Sequence, residues 1–151
     1  MFNGRTILIT GAASGLGRAW AEGFNADGAT VVAADINGEE LKKVPARVHL
    51  TVDVSDSNQV EQMILDSIEQ TGRIDVLFNN AGVGFNKRLE NSSKGDFEQH
   101  IAVHLFAMVN AIRAAIPYMR TQNYGRIINT ISRNAEYDVI GTSAYAAAKA
   151  A

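Results

Sequence analysis

The chain has 151 residues, no cysteine and a formal net charge of −2. Without cysteine it can build neither a disulfide framework nor a thiolate metal site, and without a lysine or arginine stripe it lacks the footprint that nucleic acid demands. The opening MFNGRTILIT has a single arginine and only a short apolar run, too little for a signal peptide or a membrane span. One domain over residues 1–151, soluble and of reducing, cytoplasmic type, is the expectation.

In chain order, a first strand is expected over Arg5–Thr10 (RTILIT), then a glycine-containing turn and a helix over Leu16–Ala26. Strands follow at Thr30–Asp35 and Arg47–Val52, a helix at Ser57–Gln70 and a strand at Ile74–Asn79. A long helix over Asp96–Thr121 starts with Asp96 near its N-cap, and its apolar face over Ile101–Met119 suits burial under a sheet or against a second subunit. A fifth strand, Arg126–Ser132, leads to an alanine-rich helix from Ser143. Glycines in ADG, QTGR and QNYGR are placed to end helices. Most strand runs are continuously apolar, the pattern of strands buried on both faces of a parallel sheet. Strands separated by helices imply right-handed βαβ units with helices on both faces, a three-layer, doubly wound α/β fold.

The first turn, TGAASGLG, carries Gly11, Gly15 and Gly17 between strand and helix. Glycines permit a tight bend and a close backbone approach, and the free N–H groups of the helix start suit a pyrophosphate. The spacing G-x-x-x-G-x-G differs from the commoner dinucleotide pattern. Asp35 closes the next strand, where a carboxylate accepts hydrogen bonds from an adenosine ribose and repels a 2′-phosphate. NAD is therefore expected rather than NADP. The plainer reading of Asp35 is a solvated aspartate serving the following NGEE turn. Asp53 in VDVSD is placed to meet the adenine amino group or to cap a helix.

Tyr145 and Lys149 stand four apart in SAYAAAKAA and share a face if it is helical. A free phenol titrates near about pH 10, and a neighbouring ammonium favours its phenolate. His100 and His104 are also four apart, as in H-E-x-x-H zinc sites, but the glutamate is missing and no third ligand is evident, so no metal is expected. His49 lies in a strand and reads as structural.

The chain resembles the short-chain dehydrogenase/reductase family through TGAASGLG, Asp35, Asp53–Val54, NNAG (Asn79–Gly82), GRIINTIS ending at Ser132, and YAAAK (Tyr145–Lys149). The resemblance implies a Rossmann-type sheet of order 3-2-1-4-5 in the part present, with the family's further C-terminal strands and substrate lid missing from these 151 residues. It also implies that Ser14, Asn80, and the backbone around Leu16 and Val54 touch the cofactor. By the same token Ser132, Tyr145 and Lys149 are catalytic: Tyr145 as general acid/base, Ser132 holding the substrate oxygen, Lys149 also binding nicotinamide ribose. The implied activity is NAD(H)-dependent interconversion of a secondary alcohol and a ketone, by a homodimer or homotetramer acting on a small molecule, with no membrane partner. The alternative is a non-catalytic NAD-binding or subunit-association module. The family usually has asparagine where His104 stands. Arg133, Glu136 and Tyr137 are candidates to line a substrate site.

Overall fold

Runs of β-branched and aliphatic residues form five short parallel strands in the computed structural model, which describes residues 2–137 and 139–151. The strands are β1 (Thr6–Thr10), β2 (Thr30–Asp35), β3 (Val48–Thr51), β4 (Val76–Asn79) and β5 (Arg126–Asn129). They lie in the order β3-β2-β1-β4-β5, every neighbouring pair parallel. The helices are α1 (Gly15–Ala26), α2 (Gly38–Leu41), α3 (Ser57–Thr71), α4 (Lys94–Ile101), α5 (Ala107–Thr121) and α6 (Ser143–Ala150).

Alternate strand residues face opposite ways, so one sheet builds two cores. Leu8, Val32 and Leu77 meet Val60 and Ile64 of α3 and Ala111 of α5. Ile7, Ile9 and Phe78 face the other way, toward Ala21 of α1 and Leu41 of α2. Each fully buried aliphatic side chain contributes about 1.5–3 kcal/mol. At the amino ends of the strands, the fully buried Asp75 carboxylate accepts from Thr6 N–H (2.9 Å), Arg5 (2.8 Å) and Arg73 (2.6 and 2.8 Å). Burial pushes that carboxyl up, but these hydrogen bonds outweigh it and hold it below the ordinary aspartate value.

Four local features differ from the sequence expectation. β5 stops at Asn129, and Ser132 instead caps a 3-10 turn over Arg133–Ala135. The long helix begins at Lys94 with Ser93 as N-cap; Asp96 is the N3 partner of a capping box. Its middle, Ala102–Phe106, is a π-turn, with the Ala107 N–H bonded to Ala102 O. In QNYGR the left-handed residue after α5 is Asn123 (φ 53°), a residue type that tolerates this region. Gly125 serves instead to admit Met119, whose Sδ would lie 2.5 Å from an added Cβ. The continuous helical stretch Lys94–Thr121 is 28 residues long and apolar enough to cross a bilayer by length and composition; here α5 packs on α3 and β4.

Candidate active site

The chain crosses from one side of β1 to the other between β3 and β4, so the carboxyl ends of β1 and β4 flank a topological switch point. In open α/β sheets such a point opens a crevice, and the residues singled out above gather there.

The turn after β1 is built to be tight. Gly11 (φ 68°) and Gly15 (φ 53°) take left-handed conformations. A Cβ on Gly11 would come 2.8 Å from Ala81 Cα, and one on Gly17 would run into Gly11 O. Ser14 is the extended N-cap of α1, yet its side chain makes no capping hydrogen bond, and Ser14 and Leu16 are exposed. The Ser14 hydroxyl is thus uncommitted beside the helix's first N–H groups, a combination that suits an anionic phosphate.

Asp35 does more than either sequence reading asked of it. Its Oδ2 accepts from Ala13 N–H (2.9 Å), bracing the glycine turn. Its Oδ1 accepts from Asn37 N–H (2.9 Å), the residue that caps α2. Asp35, Ile36, Asp53, Val54, Gly11 and Ala81 line about 420 Å³ of open space beside the turn. Asp53 is not the cap of α3; Asp56 is. Asp53 Oδ1 instead accepts from Ser55 N–H (2.9 Å) and Ser55 Oγ (2.7 Å) while the residue lines that space.

Asn80 is the knot between the halves of the crevice. Its Nδ2 donates to Thr10 O (3.0 Å) and Gly11 O (3.3 Å), while its Oδ1 accepts from Thr130 Oγ1 (3.3 Å). The reading of NNAG as a turn that ties the central strands together therefore describes what the Asn80 side chain does.

On the other side, about 740 Å³ of open space is lined by Gly82, Phe85, Asn134, Thr142, Tyr145 and Lys149. α6 puts Lys149 and Tyr145 on one face, with Nζ 5.9 Å from the tyrosine ring centroid. Lys149 Nζ donates to Thr130 O (2.7 Å), which tethers α6 to the end of β5. Burial pushes the Lys149 ammonium below its ordinary value. Ser132 stands apart from this wall. Its Oγ accepts from Asn134 N–H (3.2 Å), and Asn134, not Ser132, lines the space. Of the suggested substrate residues, Tyr137 carries the Arg133 guanidinium 5.2 Å over its ring, and both are exposed together with Glu136.

The histidines were the least legible in sequence. His49 is tied within its own segment, its Nε2 donating to Val44 O (2.8 Å). His104 Nε2 lies 2.7 Å from Val83 O, a carbonyl that can only accept. His100 Nδ1 lies 2.7 Å from Asp96 O. Burial holds His104 below the ordinary imidazole value, Lys149 and His100 add to the lowering, and the Val83 bond opposes it. No group of three or more metal-ligating side chains occurs among the described residues. Phe85, Asn134 and Thr142 were not anticipated, because nothing in their local pattern marks a pocket wall that forms only when distant loops meet.

Comparison with known proteins bears on the whole chain. The model of the short chain dehydrogenase family matches residues 5–151. The 3-oxoacyl-(acyl-carrier-protein) reductase FabG of Thermotoga maritima is 37% identical over 155 residues, covering 97% of this chain and 63% of that protein. Among solved structures, levodione reductase superposes with a TM-score of 0.93 at 34% identity, covering 99% of this chain and 62% of its own. The 7α-hydroxysteroid dehydrogenase complexed with NADH and 7-oxo glycochenodeoxycholic acid gives a TM-score of 0.94 at 27% identity, covering 99% and 61%. This chain thus spans less than two thirds of the length of these relatives. With its sheet order, its glycine turn and its matched sequence in agreement, the chain belongs to the short-chain dehydrogenase family.

Proposed function

We propose that this chain is the dinucleotide-binding and acid/base part of an NAD(H)-dependent oxidoreductase that interconverts a secondary alcohol and a ketone. The observation that carries this reading is the meeting of Tyr145 and Lys149 at one wall of a crevice whose other wall is the glycine turn, the two joined through Thr130 and Asn80. Close-packed Gly11 and Gly17, the uncommitted Ser14 hydroxyl and the Asp35 carboxylate fit a dinucleotide with a free 2′-hydroxyl. The NADH of the hydroxysteroid dehydrogenase complex is consistent with this choice. When bound, the nicotinamide supplies the hydride acceptor or donor.

The chain's own residues handle the proton and the orientation. Tyr145 removes the hydroxyl proton of an alcohol as its carbon loses hydride, or returns it to the carbonyl oxygen in reduction. Lys149, held by Thr130 O, keeps a positive charge beside the phenol and has further N–H donors for ribose hydroxyls. Ser132 Oγ accepts from Asn134 N–H and still has its own O–H to donate to the substrate oxygen. In a panel of secondary alcohols with NAD+, NADH formation is expected from the native chain and is lost in Tyr145→Phe with NADH binding retained. Equal turnover by Tyr145→Phe would remove Tyr145 from its role. A second reading, a non-catalytic subunit-association module, has one observation in its favour: Ile131 and Ile140 are 83% and 82% exposed.

A further inference from the structure

We propose that His100 and His104 are positioning residues that form a bracket between the pocket wall Val83–Phe85 and the ring of Tyr145, resting on the reading of Tyr145 as the acid/base. Four rings run in series from the wall to the tyrosine. Phe85 meets His100 with centroids 4.5 Å apart and planes at 65°. His100 and His104 are stacked at 5.7 Å and 27°. Tyr145 stands edge-on to both, 5.0 Å from His104 at 89° and 6.2 Å from His100 at 82°. The polar ends of the two imidazoles fix the series at either side. His104 holds Val83 O and His100 holds Asp96 O, each at 2.7 Å.

Tautomer follows from partner. A carbonyl accepts only, so neutral His104 carries its hydrogen on Nε2 and neutral His100 on Nδ1. The remaining nitrogens, His104 Nδ1 and His100 Nε2, are buried and have no hydrogen-bond partner among the described residues. An unsatisfied buried acceptor destabilises the folded state, so a phenylalanine or leucine would fill this volume more cheaply. What neither could do is pack edge-on against Tyr145 and hold the Val83 carbonyl at once. Because neither carbonyl can take up a proton, these bonds make the rings supports and not carriers.

The backbone is shaped around the bracket. His104 lies in the π-turn Ala102–Phe106, a distortion that recurs at functional sites. Gly82, directly before Val83, leaves room for the imidazole: an added Cβ would stand 2.7 Å from His104 Cε1. Gly82, Val83, Phe85, His104 and Tyr145 all line the same open space. A shift of the bracket therefore moves the wall and the phenol relative to each other.

The test uses Gly82→Ala, His104→Ala and the double variant, with His104→Gln to restore an amide N–H toward Val83 O. A misplacement of about 1 Å can cost about 100-fold in turnover. Gly82→Ala is expected to lower kcat by roughly that factor, with a smaller fall in NADH affinity because Gly82 and Val83 also line the space beside Asp35. In the double variant the alanine methyl no longer meets an imidazole, so the two losses are expected to be strongly non-additive, and His104→Gln is expected to recover part of kcat. Additive losses, equal falls in kcat and NADH affinity, or a His104→Gln variant no better than His104→Ala would overturn the bracket. If the native chain turns over nothing, the proposed function fails on its own. The bracket is then read by imidazole 15N NMR, which should show His104 as a single Nε2–H tautomer whose signals move in Gly82→Ala. Averaged tautomers, or signals that ignore Gly82→Ala, would refute it.

Discussion

The two sides of the crevice are held by different means. On the glycine-turn side, every residue of β1 is buried, and β2 is buried through its middle four. The turn above them is fixed by steric contact and by Asp35. On the Tyr145 side, β5 is an edge strand in which Ile127 alone is partly buried. α6 buries only Ala144 and Ala148, and Lys149 ties it to Thr130 O. A turn made by close packing is stiff before any ligand arrives. A helix held by a lysine tether and ring contacts is positioned by a few named interactions, and each is a place where the site can change while the fold persists.

The strongest way to sharpen this contrast is Gly17→Ala. Its methyl would overlap Gly11 O and lie 2.7 Å from Asn80 Nδ2, so the turn must open. Overpacking of this kind costs about 1–3 kcal/mol. Loss of saturable NADH fluorescence binding and a lowered melting temperature are expected together. Retained NADH affinity would mean that the turn is not preorganised.

Asn80→Ala is the next largest, because Asn80 is where the sides meet. The change leaves Thr10 O and Gly11 O without its amide and frees Thr130 Oγ1. A loss of about 1–3 kcal/mol in urea denaturation is expected, with NADH affinity and turnover both reduced. If turnover fell and NADH affinity did not, the two sides would be independent and the knot would be only a structural turn.

Legibility in the sequence follows the same division. The five strands were visible because burial on both faces demands unbroken apolar runs, as in Thr30–Asp35. The glycine turn was visible because positive φ at Gly11 and Gly15 restricts the residue type. What could not be read depends on contacts between distant segments. The end of β5 was overrun because Thr130 and Ile131 look as strand-like as Ile127 and Ile128, while pairing with β4 runs out at Asn129. The resemblance groups Ser132 with Tyr145 and Lys149; that its Oγ also accepts from Asn134 N–H and caps the 3-10 turn depends on where β5 ends, which the local sequence does not mark. A zinc-like spacing draws attention to His100 and His104, but their partners, Val83 O, Asp96 O and the two aromatic neighbours Phe85 and Tyr145, are set by the fold and leave no local signature.

The smallest expected effect is one of pH, and it reads the Tyr145 side alone. Burial lowers the His104 value below 6.5, with Lys149 and His100 adding to the shift and the Val83 bond opposing it. Above about pH 6.5 the imidazole is neutral folded and unfolded, and the native state keeps its full stability. As pH falls through 6.5 toward the lower native value, the unfolded chain takes up a proton that the folded chain refuses, so stability declines. Urea midpoints measured from about pH 7.5 to about pH 5 should fall more steeply in the native chain than in His104→Gln. Asp96 does not confuse the comparison, since hydrogen bonds from Lys87 and Ser93 bring its carboxyl to about 2 and its window lies below 3.8. The lowered Lys149 value belongs to the alkaline side, below 10.5. Parallel curves would show that the imidazole is hydrated in the native state, and with water at His104 the Tyr145 side would be looser still than its single lysine tether implies.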